Sequence, residues 1–461
     1  MLNTANFKIY KTPVLYALLS ILLYWIFAYD LVRTDFSKLL LLYSGLFLLF
    51  YKLMQNHKVN FNLLLIFAAI FRIMFLFAIP NLSQDFYRFI WDGRLLIEGL
   101  NPYLYKPESF IQNNQFPIAQ AQELYQGMGT LNGSHFTNYP PIKQCIFTVA
   151  AFISGKSIIG SAIVFRVFII TADFGTLYFG KKLLEKLNIP VNKIFWYILN
   201  PFIIIELTGS LHFEGVMVFF LVWSLYLLYV GKWKLAAAIF GLSVSTKLIP
   251  LLLLPLFFQW FTKRQSNDFK PLGFYKLISY YSIVAIVIIL LFAPFFSSEF
   301  ISNYSKTVGL WFTDFEFNAS IYYVAREIGY VLTGYNQIAV IGKFIPVIVI
   351  LFSIAFTFIR NSRTMPNLIC SMVLLIAVYY FVSTTIHPWY LTTILALSIF
   401  TNYKFPLIWS FVIVLSYFTY ANSNYSENLW VIGLEYLLVY AVFVWEVFFK
   451  KPNSQKFLVN S

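Results

Sequence analysis

Asp85, Arg88 and Asp92 lie in QDFYRFIWDGRLLIEGLNPY, residues 84–103. At spacings of three and seven they share one face of a helix expected over 84–97, with Ser83 as its cap, Gly99 ending it and Asn101-Pro102 turning the chain. Asp85 follows Pro80, which closes an apolar run, so its carboxylate stands at headgroup level and partly desolvated. A carboxylate there is a candidate general base for a hydroxyl. An amphipathic surface helix with an internal salt bridge would give the same pattern. His212 and Glu214 occupy a short turn between two apolar runs, where imidazole and carboxylate could bind hydroxyl groups. A helix-start glutamate favoured by the macrodipole is the alternative for Glu214. Lys247, between Thr246 and Leu248, is costly in an apolar hairpin unless it pairs or reaches a polar cavity, and a lipid phosphate is its natural partner. His387 opens HPWYL and could donate to a ligand, or cap the helix that Pro388 starts. Asn318, Tyr322 and Tyr323 could help bind a ligand, although belt packing suits the tyrosines. Arg72, and Arg166 with Asp173 seven residues on, read as structural ion pairs inside a bundle.

The elements that position these groups follow from composition. Of 461 residues, 60% are hydrophobic and only 11% charged, far below the quarter or so of a soluble enzyme. The apolar residues fall in runs of roughly 15 to 25, the length that crosses a core about 30 Å thick. The chain is therefore expected to be an all-α polytopic membrane protein of about 12–14 transmembrane helices, packed as one body. The expected runs are 13–29, 39–53, 61–80, 158–180, 194–210, 214–230, 275–296, 338–359, 367–386, 388–401, 406–420 and 429–449. Residues 141–154 are short for a crossing, and 235–260 are broken by Lys247 and Pro250. No small-residue cleavage site precedes the first run, so it reads as a retained span. Cys145 and Cys370 say nothing firm about redox compartment.

The net charge of +14 needs no nucleic acid to explain it, because cations gather on cytoplasmic loops. If 141–154 is re-entrant or a surface helix, then Lys181, Lys182, Lys186 and Lys193 are cytoplasmic. If 235–260 is a hairpin of two short helices, Lys232 and Lys234 share a side with Lys263, Arg264, Lys270 and Lys276. Both termini then lie inside, with Glu185 and Asp268 the only inner acids. Most of the other carboxylates lie on the outer side, where 81–157 and 297–337 are the two sizeable loops. No internal repeat is apparent, so an inverted-repeat transporter gets no support.

The segment 84–103 resembles the first extracytoplasmic loop of the GT-C superfamily of membrane glycosyltransferases, in particular bacterial mannosyltransferases that use polyprenyl-phosphate mannose. Other pieces match in order: NYPPIKQ at 138–144, LNPFIIIELTGSLHFEG at 199–215, GLSVSTKLIPLLLLP at 241–255, FEFNASIYYVAREIG at 315–329 and TTIHPWYL at 384–391. The resemblance covers most of residues 60–420. It implies an inverting transfer, with an acceptor hydroxyl deprotonated by the loop's acid as the lipid phosphate leaves. Asp85 occupies that acid's position. Charge building on the phosphate calls for cations, for which Arg88, Arg94 and Lys247 are candidates. Asp92, His212, Glu214, Asn318 and His387 are candidates for sugar or acceptor. Many relatives carry two close acids; here the neighbour is Gln84, so no metal-binding residues are assigned. Magnesium or manganese would suit oxygen ligands if one is used, and the scattered histidines suggest no zinc site. The expected setting is a bacterial inner membrane with the site facing outward, and the expected partners are a polyprenyl-phosphate sugar, a glycan or glycolipid acceptor and membrane lipid. A transporter or flippase of lipid-linked sugars is the competing class, and a non-catalytic scaffold a third.

Overall fold

Inside hydrocarbon backbone N–H and C=O groups must be satisfied by protein, which leaves helices or closed barrels, and apolar runs of this length suit helices. The polar breaks between them supply the caps. In the computed structural model, helices α1 (Thr4–Tyr29), α2 (Phe36–Gln55) and α3 (Phe61–Ile73) are followed by α4 (Asp85–Ile97), α5 (Pro107–Gln112), α6 (Ala121–Gly133), α7 (Pro141–Ser154) and α8 (Ile158–Lys186). Asp35 accepts from Lys38 N to start α2, Asn60 from Leu63 N to start α3, and Ser157 from Gly160 N to start α8. The structure describes residues 4–56, 60–263, 271–422 and 424–450. Arg264, Asp268 and Lys270, used above in the charge reading, lie outside them.

The protein is an all-α polytopic membrane protein. Among the described residues seven helices are long and apolar enough to cross: Lys11–Tyr29, α2, α8, Phe274–Phe295, Ile338–Ile359, Met365–Val382 and Leu429–Phe449. An eighth would be the pair Pro201–Gly209 and Glu214–Tyr229, bent by 117°. The other expected runs are shorter or broken. The run 61–80 stops being helical at Ile73. Asn200-Pro201 divides 194–210 into a 3-10 turn, two short α-helices and a π-helix, Ile204–Gly209. Residues 233–262 form two arms, Trp233–Val244 and Ile249–Thr262, parted around Lys247 as the hairpin reading expects. Helix α7 has 14 residues, about 21 Å at 1.5 Å per residue and short of a crossing.

Helix α4 starts at Asp85, with Gln84 rather than Ser83 at the cap position, and it is not a surface helix. Phe86, Phe89, Trp91 and Leu95 are buried, and so are Arg88, Asp92 and Arg94. The chain from α5 to α7 folds over it, and α7 lies so close that a Cβ on Gly93 would sit 2.2 Å from the Phe147 carbonyl oxygen.

The intramembrane charges pair differently from the expectation. Arg72 Nε meets Asp173 Oδ2 at 2.8 Å, both side chains being almost fully buried. Arg166 does not pair with Asp173. It donates to the carbonyls of Thr208, Gly209 and Leu76, because the π-helix and the bend after it leave carbonyls that a helix would otherwise satisfy. Arg166 thus staples the bend.

Candidate active site

The loop after α1, the start of α4, the first turn of α7, the bend before Glu214, the Lys247 break and the turn 383–390 all open onto one cavity of about 750 Å³. Asp85, His212, Glu214, Lys247 and His387 line it. The sequence-predicted residues thus meet although they come from four distant stretches.

Asp85 sits in the first turn of α4, where the helix dipole favours a carboxylate. Its Oδ1 accepts from Asn132 Nδ2 at 3.1 Å. Gln84 donates its side-chain amide to Met128 O at 3.0 Å, which a second acid at that place could not do. Gln84 therefore holds the segment that delivers Asn132. Among the described residues no three His, Cys, Asp or Glu side chains cluster to hold a metal ion, and Gln84 supplies no second carboxylate.

Arg88, Asp92, Arg94 and Asn318 do not line the cavity. Arg88 Nε binds Asp92 Oδ1 at 2.8 Å, and its Nη1 donates to the carbonyls of Asn132 and His135. Asp92 Oδ2 accepts from Gln144 Nε2 at 3.1 Å. Arg94 donates to Ala119 O and to the Gln120 side chain, beside the left-handed backbone of Gln120. Asn318 donates its backbone N–H to Glu427 and its amide to Glu435. These four side chains bind protein groups away from the cavity. Tyr322 and Tyr323 likewise donate to Glu316 and Glu427.

Across the cavity Lys247 pairs with Glu214, and its Nζ lies 3.9 Å from the Tyr390 ring centroid. Glu214 is the first residue of its helix. Just before it, Leu211 adopts φ +64°, a conformation costly for a branched residue and held only where the surroundings impose it. The π-helix, this residue and the bend together bring His212 to the cavity. His212 Nδ1 lies 2.9 Å from Glu206 O, so it is the donor there, which leaves Nε2 with its lone pair in the neutral ring. Glu206 also accepts from Tyr417 OH at 2.8 Å. The His212 ring stacks on Trp389 at 3.7 Å, Trp389 on His387 at 4.6 Å, and His387 on Phe317 at 5.0 Å. Burial first, then Lys247, pushes the His387 imidazole down to about 3, so it is neutral at working pH.

Two cations were not picked out from the sequence. Lys143, in the first turn of α7, lines the cavity, and burial pushes its ammonium down to about 8. Its signal was a lysine two residues after Pro141, where the helix start is fixed. Arg33, also on the lining, lies 4.1 Å from the Tyr420 ring centroid and donates to Leu82 O. Chemically, the cavity offers one carboxylate able to take a proton, two ammoniums near one carboxylate, and two imidazoles on an aromatic plate.

The family model described as alpha-(1->6)-mannopyranosyltransferase, N-terminal domain, matches residues 17–263, just over half the chain. No curated protein matches it.

Proposed function

Because this chain belongs to the alpha-(1->6)-mannopyranosyltransferase family and is a membrane glycosyltransferase of that kind, we propose that it moves mannose from a polyprenyl-phosphate donor to a glycan or glycolipid acceptor, with Asp85 as the general base. The family implies a sugar donor and a glycan acceptor. The observation that carries the finer reading is the single cavity joining Asp85 to Lys143 and Lys247.

In the reaction the acceptor hydroxyl gives its proton to Asp85 as its oxygen bonds to the anomeric carbon. The bond from that carbon to the phosphate oxygen breaks, and its electron pair leaves with the phosphate. Attack opposite the leaving group inverts the anomeric centre. The charge arriving on the phosphate needs fixed cations in a site poor in water. Lys143 and Lys247 serve there, with Glu214 holding Lys247 in place and Arg33 at the rim. They take the part first given to Arg88 and Arg94, whose guanidinium groups are bound to protein. Asn132 orients the Asp85 carboxylate. His212, through Nε2, and neutral His387 read sugar hydroxyls. The donor's apolar tail stays in lipid, and the distribution of lysines and arginines supports a site on the outer face of a bacterial inner membrane.

The test is transfer of labelled mannose from polyprenyl-phosphate mannose to extracted lipids and glycans by purified wild type and Asp85→Asn, with and without chelator. Loss of about 10²–10⁴-fold in kcat is expected for the variant. Transfer undiminished in Asp85→Asn would remove the assigned base.

A further inference from the structure

Past Phe317 the cavity adjoins a second one of about 350 Å³, and Glu316, Phe317 and Tyr425 line both. Arg326, Glu427 and Leu429 also line it. Every one of these residues lies beyond 263, outside the stretch that the family model matches.

The polar groups here are fixed before any ligand arrives. Glu316 accepts from Tyr322 OH at 2.7 Å and from Arg326 at 3.0 Å. Glu427 accepts from Asn318 N at 2.6 Å and from Tyr323 OH. Asn336 Nδ2 also stands 3.5 Å from both Glu316 oxygens, whereas each Glu427 oxygen, with two lone pairs, holds one of the donors just named and can take a second from outside. Arg326 lies over the Tyr323 ring at 4.4 Å and binds Glu316 and Glu327, which leaves guanidinium N–H groups over. Such braced acceptors and donors suit a ligand with many hydroxyls.

Charge narrows the choice. Two carboxylates against one guanidinium repel a phosphate, and the guanidinium in contact with Glu316 opposes a metal ion. Phe317 and Tyr425 put aromatic rings on its wall. Tyr425 is 59% exposed with φ +51°, and its turn is tied by Asn422, whose side-chain oxygen accepts from Ser426 N at 2.9 Å. A strained, exposed aromatic between two cavities is the arrangement of a ligand clamp.

We propose that this second cavity is an acceptor-side subsite, taking a neutral sugar unit of a glycan chain next to the unit whose hydroxyl reacts at Asp85. The proposal rests on the mannosyl-transfer reading. The acceptor is then a chain of at least two sugars, its reacting end at Asp85 and the adjoining unit between Glu427, Arg326 and Tyr425. The half of the chain outside the matched stretch selects the acceptor.

The test pairs binding with transfer on purified protein, using methyl α-mannoside, α-1,6-mannobiose and α-1,6-mannotriose as probes. Two variants are used: Glu427→Gln, which removes acceptor capacity, and Leu429→Trp, which plugs the wall from an exposed position and so leaves folding intact. Wild type is expected to bind the longer probes about tenfold more tightly than the monosaccharide, the value of one good contact set. Both variants should bring the three probes to within about twofold of each other. Equal affinity for all three in wild type, or a length preference untouched by Leu429→Trp, overturns the subsite. Length-dependent binding without any transfer would instead overturn the transferase reading while leaving the subsite standing.

Discussion

Replacing Gly93 by alanine tests whether the contact between α4 and α7 sets the catalytic geometry. The new Cβ would stand 2.2 Å from Phe147 O and 2.5 Å from its carbonyl carbon, whereas ordinary contact begins at 3.4 Å. Backbone cannot swing away as a side-chain end can, so the helices must part by about 1.2 Å. Overpacking of that kind costs about 1–3 kcal/mol, which a bundle of this size survives. Asp85 is at the start of α4 and Lys143 in the first turn of α7, so the parting changes the distance between base and cation. A misplacement of about 1 Å costs on the order of 10²-fold in rate. Turnover of labelled donor by purified Gly93→Ala should therefore fall about 10²-fold, with the folded protein retained on size exclusion. Gly433→Ala, where an added Cβ meets nothing within 4 Å, is the control. A Gly93→Ala enzyme with kcat within twofold of wild type would refute the reasoning.

Lys143, pushed by burial down to about 8, is charged below that pH and neutral above it, so donor KM should rise as pH climbs through about 8. Lys143→Arg keeps its charge there and should flatten the rise, as a KM profile from pH 6 to 9.5 would read. Asp173→Ala strands the buried Arg72 guanidinium and should destabilise by about 3–5 kcal/mol, while Arg72→Met with Asp173→Leu should recover most of that. Thermal melts in one detergent compare them.

The bundle was legible because hydrocarbon imposes helices on apolar runs and polar breaks supply their caps. Asp85, His212, Glu214, Lys247 and His387 were legible as cavity residues because each is a polar side chain in apolar company. The same signal marks Arg88, Asp92, Arg94 and Asn318, which the structure places off the cavity. A buried charge looks identical in sequence whether its partner is a substrate or a carbonyl forty residues away. The pairing of Arg72 with Asp173 was hidden for a related reason, since spacing along one helix suggested Arg166 instead. Lys143 went unselected because its importance comes from how closely α7 approaches α4, which depends on Gly93 and Phe147 together. The subsite around Glu427 depends on a turn meeting a loop more than a hundred residues away, and no local pattern announces that.

The Arg72–Asp173 pair also constrains how the chain is made. Its members are 101 residues apart, and Arg72 stands in the last turn of an apolar helix, where a charge without its partner is costly. At about 5–20 residues per second, α3 leaves the ribosome on the order of 5–20 s before α8 brings the carboxylate. During that interval Arg72 needs water, a headgroup or the insertion machinery itself. Biogenesis of this protein thus includes a delay written by sequence distance, and Asp173 variants should accumulate as nascent chains held at that stage.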